Sequence, residues 1–565
     1  MRTRSWVLLG VALFAGPVLL GCSSSGSAAG STNGGEGGEA GEHSVQSADD
    51  AGSGSGGALL GEAGEGGAPD VDPKTCERNS AIDAPDDAFD DSNCDGIDGD
   101  KANAVFVSPD GDDEATGEFG APVTSIGKAV ELAAAQKKDV YVCTADYDEN
   151  VIVDAKNLNL VGGYDCGDWS RNNNRAKIAP HSGKALVLWN VSAFTVDRVA
   201  FTSPDATTAG ESSVAVFVAA SSGVRFSHVQ IDAGAGATGI PGEKVGSGAP
   251  ALARAGAEGQ SSVSCNWYLD GCKMATRKGG TGPVTTCGKT TMRGGFGGVG
   301  AIKWDSPAAP GLGLIGAPGN RKSGLPGRPG AVGADGETGS SGFGSVTNDG
   351  YVASNSGTDG ADGAIGESGG GGDGGLACNY FDDNVSKCRV GGANFSASGT
   401  TWWGAGGGQG GYGGCAGVGG HAGGAGGASI ALLSVNSKVA LSWASLSTAN
   451  GGDGGKPSPG ALGQPGGAGG KGGPAASDNL GSESQRLTSA QDGGDGGDGG
   501  DGGPGGAGAG GPSITIVALG EAPITQAVTL TPSAGGKGGP SLTGSPALAG
   551  ESADSKIIEA AQHGT

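Results

Sequence analysis

The chain has 565 residues, a formal charge of −25, and 123 glycines. With hydrophobic residues at 36% and aromatics at 5%, it lacks the apolar material for the several conventional cores that such a length suggests. The acidic balance is the reverse of the basic face that nucleic-acid binding needs, so no nucleic acid is expected as a partner; it favours solubility and association with divalent cations.

Met1-Arg-Thr-Arg4 opens the chain with positive charge, and Ser5 to Leu20 is an apolar run broken by Gly and Pro. The run is short and close to the terminus for a spanning helix, and charge followed by a short apolar core and small residues is the secretory signal pattern. Its end, Leu19-Leu20-Gly21-Cys22, resembles the lipobox of bacterial lipoproteins. That resemblance implies removal of residues 1–21, a diacylglycerol on the Cys22 thiol and an acyl chain on the new amino group. Such a set anchors a protein to a membrane stably, where one chain holds weakly. Ser23 follows the cysteine; in the resembling lipoproteins an Asp there favours inner-membrane retention, so the expected place is the cell envelope, on the outer membrane of a Gram-negative-type bacterium. Either the periplasm or the outside could be faced. The competing reading is an ordinary signal peptide with a chance cysteine.

Residues 22–75 hold the lipidated cysteine and a Gly/Ser/Ala/Glu tether with almost nothing to bury. About fifty flexible residues reach on the order of 40 Å. Residues 76–100 form an Asp/Cys-rich neck in which Asp91, Asn93, Asp95, Asp98 and Asp100 alternate around glycine turns. Hard oxygens arranged in this way are what Ca²⁺ prefers, and the run resembles the Asp-rich loops of some secreted bacterial calcium-binding repeats. It departs from the EF-hand because no Glu closes a twelve-residue loop. The competing reading is a solvated acidic linker stapled by Cys94.

Apart from Cys22 there are ten cysteines: Cys76, Cys94, Cys143, Cys166, Cys265, Cys272, Cys287, Cys378, Cys388 and Cys415. An even number in an exported chain reads as a disulfide set. Local partners are expected, such as Cys76 with Cys94 and Cys143 with Cys166, while the full connectivity stays open. Zinc is the lesser alternative, since no paired C-x₂-C with His partners occurs.

Residues 101–234 form the ordered heart. Ala121–Gln136 carries Ser/Thr caps and apolar Ile126, Val130, Leu132 and Ala133, which predicts a short amphipathic helix. Strands are predicted at Asp139–Cys143, Asn150–Val153 and Leu158–Val161. This order of strand, "T-S-I-x-x-A" helix, "D-V-Y-V", "Y-D-E-N-V-I-V" and "L-N-L-V-G-G-Y-D" resembles the N-terminal part of right-handed parallel β-helix proteins, the pectin-lyase-like group. The resemblance implies an all-β solenoid with an N-terminal capping helix. Asp146 stands where that group usually has Gly, so a distorted turn is expected there.

Internal repetition supports the solenoid. Phe194-x-Val196-x-x-Val199-x-Phe201 and Val224-x-Phe226-x-x-Val229-x-Ile231 share one spacing, which returns at Val439-x-Leu441-x-x-Ala444-x-Leu446. Two alternating strands separated by a two-residue offset suit a chain that bends between sheets while keeping alternate side chains inward. Ser213–Val216, Ser429–Leu432 and Ser513–Ile516 repeat likewise, and Val528–Leu530 closes the last copy. Residues 428–450 and 512–532 are therefore read as further coils, separated by glycine-rich insertions at 235–427 and 451–511 and followed by a glycine-rich tail, 533–565. Long insertions are tolerable because loop-closure entropy grows only logarithmically. A β-sandwich of the same strands is the rival.

Glycines at 324, 327, 330, 333, 336, 339 and 342 have collagen's period, with Pro326 and Pro329 between them, although a triple helix needs three chains in register. Asp492, Asp495, Asp498 and Asp501 repeat at the same interval, and a solvated flexible run is the expected state there. The blocks resemble the glycine-rich stretches of PGRS-type surface proteins. Disorder competes with bundles of polyproline-II strands packed through glycine faces; the cysteines and aromatics inside the first block favour partial order and disulfide stapling.

No catalytic residue is assigned. G-H-G, R-x-P-x-x-R, H-E-x-x-H and phosphate-binding loops are missing from the sequence, the one G-x-S-x-G match, Gly366-Glu-Ser-Gly-Gly370, lies in a glycine run without strand–helix context, and His228 reads as a corner residue rather than a base. The expected role is a non-enzymatic, membrane-anchored lipoprotein acting in surface display, adhesion or envelope structure, with extracellular polysaccharide or envelope components as partners. The alternative is a carbohydrate-active β-helix enzyme with an atypical site.

Overall fold

The computed structural model describes residues 82–154, 157–246, 250–266, 277–300, 323–353, 355–375, 380–382, 387–389, 400–475 and 489–559, with Cys76, Arg78 and Ser80. Signal peptide, Cys22 and tether lie outside the described residues.

The helix forms at Ile126–Gln136 for the reasons its sequence gives. Ser125 caps it by accepting the Lys128 N–H, Glu149 accepts the N–H groups of Ile126 and Gly127, and Lys137 ends it in the left-handed conformation (φ 59°). Its buried face, Ile126, Ala129, Val130 and Ala133, joins one core cluster with Val105, Val140 and Val151.

From Asp139 the chain visits three parallel sheets in a fixed order. The first sheet contains Ala104–Val107, Asp139–Cys143, Asn159–Tyr164, Thr195–Asp197, Val224–Ser227, Val439–Ser442 and Ile524–Gln526. The second contains Asp146–Tyr147, Ala176–Ile178, Val199–Thr202, Gln230–Ala233, Ser445–Thr448 and Thr529–Thr531. The third contains Val151–Val153, Leu186–Trp189, Ser213–Ala219, Ser429–Val435, Ser513–Leu519 and Ser552–Ile558. The fold is thus all-β apart from one α-helix among the described residues, and these sheets are parallel throughout, unlike the antiparallel sheets of a sandwich.

The repeated spacing is the register. Val196, Phe226 and Leu441 are partners in the first sheet, and Phe201, Ile231 and Leu446 in the second; all six are buried in the core between the sheets. The offset inside each repeat is the corner between these sheets. Arg198, His228, Trp443 and Ala527 occupy it on successive passes, each with φ near +50°. One left-handed residue redirects the strand without a long loop, and His228 takes the corner place expected of it. Asp146–Tyr147, where a distorted turn was expected, makes a two-residue strand against Lys177–Ile178.

The corner between second and third sheets behaves differently. It spans 148–150, 179–185 and 203–212 on the early passes, then 234–428, 449–512 and 532–551 on the later ones. All the glycine-rich excursions therefore leave and re-enter at one corner. The segment read as a glycine-rich tail carries one more strand, Ser552–Ile558, paired with Ser513–Leu519. Its polar Ser-Ala-Asp-Ser-Lys start hides the alternation because an end strand has one neighbour only.

Candidate functional site

Two features stand outside the sheets: the acidic neck and the glycine-rich excursions. The neck is stapled by Cys76–Cys94, with Cα atoms 5.7 Å apart, and Asp83 ties its ends together by accepting the N–H groups of Ser92 (3.2 Å) and Gly99 (3.0 Å). It lies over the outer face of the first sheet, where Ile97 packs with Phe106, Tyr141, Tyr164 and Trp169. Cys143–Cys166 (Cα atoms 4.9 Å apart) braces the same region. Both expected local disulfides are present.

Charged groups complete the contact. Arg171 is fully buried and donates to Asp98 (2.8 Å), to the Asp86 carbonyl (2.7 Å) and to Asp197. Arg198 pairs with Asp197 and with Asp87 (2.8 Å), and its guanidinium lies 4.8 Å from the centre of the Phe89 ring. The hydrogen bond from Arg198 holds the Asp87 carboxyl below its ordinary value. Sequence reasoning missed Arg171, Asp197, Arg198 and Phe89. The available signal was the Asp197-Arg198 pair inside an otherwise apolar repeat.

The five neck residues read as calcium ligands each have hydrogen-bond or ion-pair partners within the chain. Asp91 accepts the N–H groups of Asp95 and Gly96, and Asn93 accepts that of Asp95 and donates to Gly99. Asp95 accepts from Ile97 and Lys101, Asp98 faces Arg171, and Asp100 caps the short 3₁₀ turn Lys101–Asn103. Among the described residues no group of three or more His, Cys, Asp or Glu could hold a metal ion. The carboxylates accept from main-chain and guanidinium donors.

A cleft of about 350 Å³ remains between neck and sheet, lined by Asp83, Asp100, Asp139, Tyr141, Asn159 and Asp197 among others. Each carboxylate there has structural partners. Asp139 accepts the main-chain and side-chain N–H groups of Asn159 (3.1 and 2.9 Å), and burial pushes its carboxyl above the ordinary value.

The excursions converge rather than loop out separately. Gly324, Gly327, Gly330, Gly333, Gly336 and Gly339 donate in turn to the carbonyls of Asp492, Asp495, Asp498, Asp501, Pro504 and Ala507. Gly411, Gly414, Gly417, Gly420 and Gly423 donate to Gly494, Gly497, Gly500, Gly503 and Gly506. Donors and acceptors both advance by three residues, the period of the polyproline-II helix, and the bonds run between segments. Of the two states weighed from sequence, bundling is the one observed for the described segments. The collagen-period glycines also find their partners within this one chain.

Glycine density follows enclosure. Segment 324–342, with one glycine per triplet, bonds to 355–375 and 489–511. Segment 404–427, mostly two per triplet, bonds to 236–262, 295–298, 355–375, 451–475 and 489–511. A Cβ at Gly411 would lie on the Gly467 carbonyl and 2.8 Å from the Gly496 nitrogen, so the main chains approach too closely for any side chain. Where a neighbour's carbonyl is out of reach, side chains substitute. Asp492, Asp495, Asp498 and Asp501, expected to be solvated, accept the N–H groups of Gly472, Gly469, Gly466 and Gly463 at 2.7–2.8 Å. Gln409, the Tyr412–Pro283 hydrogen bond and Cys287–Cys415 (Cα atoms 5.3 Å apart) fasten the middle. The sulfurs of Cys265, Cys272, Cys378 and Cys388 lie outside the described residues.

Asp359 supplies a pH-dependent member. It accepts the Ala422 N–H (2.7 Å), and this bond holds its carboxyl below 3.8. Folding therefore favours its ionised form: the contribution is complete above 3.8 and is lost as pH falls through the lowered value. Asp359→Asn keeps the acceptor but removes the charge. Urea midpoints are expected to show a wild-type advantage at pH 6 that shrinks as pH falls below 3.8 through the lowered value.

No family model, curated protein or solved structure matches the chain.

Proposed function

We propose that the protein is a non-enzymatic, lipid-anchored surface protein whose glycine bundle is the displayed part. In this reading the three sheets wind as a right-handed parallel β-helix, closed at its N-terminal end by the helix Ile126–Gln136, and residues 22–75 tether it to the outer membrane through Cys22. The observation that carries the proposal is the convergence of every glycine-rich excursion from one corner into a single hydrogen-bonded bundle. Loops serving only as spacers have no need of such an assembly, since closure of long flexible loops is tolerated without it. A stiff body rooted on stacked strands suits contact with polysaccharide or envelope components, because little conformational entropy is left to lose on binding.

The full chain is expected to fractionate with the envelope and Cys22→Ala in the soluble fraction; equal distribution of the two would remove the anchor. Glycan arrays and polysaccharide cleavage assays address the role. For the carbohydrate-active reading the candidate is the cleft with Asp139 and its raised carboxyl. Turnover of any polysaccharide, lost in Asp139→Asn, would replace display with catalysis.

A further inference from the structure

The last glycine-rich excursion, 532–551, covers only part of the edge formed by segments 451–475 and 489–511. Running out, it lies beside the first of them, where Gly451 and Gly454 donate to the carbonyls of Ala534 and Lys537 at 3.0 and 2.8 Å. Running back, it meets the second, where Gly510 donates to the carbonyl of Leu548 at 2.9 Å. Gly451, Gly454, Ala507 and Gly510 are buried there. Farther along the same two rows the cover thins: Gly463, Gly466 and Gly469 are half-buried, and Asp495, Asp498 and Asp501 are exposed. The donors keep their period of three but change partner, from a main-chain carbonyl to Oδ1 of Asp501, Asp498 and Asp495 at 2.7–2.8 Å. The facing row changes with them. It reads Asp at 495, 498 and 501, then Pro504, and Ala507 and Gly510 where main chain supplies the cover.

We propose that Asp495, Asp498 and Asp501 close this edge of the bundle against an added glycine-rich strand. Main-chain donors at every third residue, on a segment without side chains to stand in the way, are complementary to any polyproline-II chain whose carbonyls recur at the same interval. The excursion 532–551 is such a chain, and it binds this same row for as far as it runs. Beyond it the row is the bundle's counterpart of an exposed β-sheet edge, which pairs with other chains unless charge or bulk blocks it. Each carboxylate blocks it twice. One oxygen occupies the glycine donor, and the charged group stands in the lane that a further strand would take. The covered part of the row has the same period and no carboxylate facing it, so the aspartates follow the missing cover and not the repeat.

The probe is a fluorescent peptide of Gly-Gly-Pro repeats, titrated into the full chain and followed by anisotropy. The triple variant Asp495→Gly, Asp498→Gly, Asp501→Gly is expected to bind it at least about tenfold more tightly than wild type, because three donors are freed for its carbonyls. The triple variant with Asn at the same positions removes the same three charges but keeps a side-chain oxygen on each donor, and is expected to bind no better than wild type. Hydrogen exchange places the event: the amides of Gly463, Gly466 and Gly469 lose protection in the Gly variant and regain it when the peptide is added. Unchanged protection across 404–427 shows that the bundle itself is intact. If the triple Gly variant loses that protection, Asp498→Gly alone serves, with a smaller gain in affinity expected. A wild-type chain that binds as tightly as the Gly variant overturns the proposal. So does a Gly variant with an intact bundle that gains no affinity, an Asn variant that binds like the Gly variant, or binding that leaves the three amides unprotected.

Discussion

Gly411→Ala is expected to open the glycine bundle while leaving the three sheets folded. The added methyl meets the Gly467 carbonyl and the Gly496 nitrogen, both main-chain atoms held by their own hydrogen bonds, so neither can move alone. Overpacking of this kind destabilises by about 1–3 kcal/mol where side chains can yield, and main chain yields less, so about 3 kcal/mol or more is expected. Gly500→Ala, whose methyl would meet the Ala331 carbonyl, should behave alike. Gly246→Ala is the control, with no heavy atom within 4 Å of the new carbon, and should change stability by less than about 0.5 kcal/mol. Hydrogen exchange locates the damage: amides of 404–427 and 489–511 lose protection in the first two variants, and those of 195–202 and 224–233 keep it. Equal loss in both regions would show that bundle and sheets unfold as one unit.

Arg171→Met is expected to be as damaging at the other end of the molecule. The guanidinium is buried between Asp98, itself 3% exposed, and Asp197, and donates also to the Asp86 carbonyl. Its removal leaves a carboxylate without its counter-charge away from water, at about 3–5 kcal/mol. Neutralising the orphan should recover part of the loss, so Arg171→Met with Asp98→Asn is expected to be more stable than Arg171→Met alone. Urea midpoints test this, with proteolysis between residues 76 and 100 reporting release of the neck. A double variant no better than the single would mean that Arg171 acts through packing on Tyr164 and Phe89 rather than through charge.

What was legible in the sequence followed side-chain alternation. Val196, Phe226 and Leu441 announce their strands because each must point into one core, and the spacing to Val199, Val229 and Ala444 announces the corner because alternation shifts there. Ser125 and the apolar face of Ile126–Gln136 are equally local signals. The two short-range disulfides followed from proximity in the chain.

The neck was read for its oxygen atoms, and their number is visible in sequence. Which groups of the chain those oxygens meet is not, because the donors include Arg171, far along the chain, and the main chain itself. The bundle was hidden for a different reason. Its contacts are made by main chain passing main chain, and glycine carries no side-chain pattern to say which segment it meets. Gly324 finds Asp492 through a period shared by every other segment, so sequence gives the period without the pairing.

That shared period has a genetic consequence. Removing or adding one residue within 404–427 would carry side chains into positions where neighbouring carbonyls pass, along the whole remaining length of the segment. Removing three restores every position but the end. Length changes that keep the register of the bundle are therefore expected in steps of three residues, or nine nucleotides. Slippage in a repetitive coding stretch that respects this step would lengthen the glycine bundle without disturbing the strands on which it is rooted.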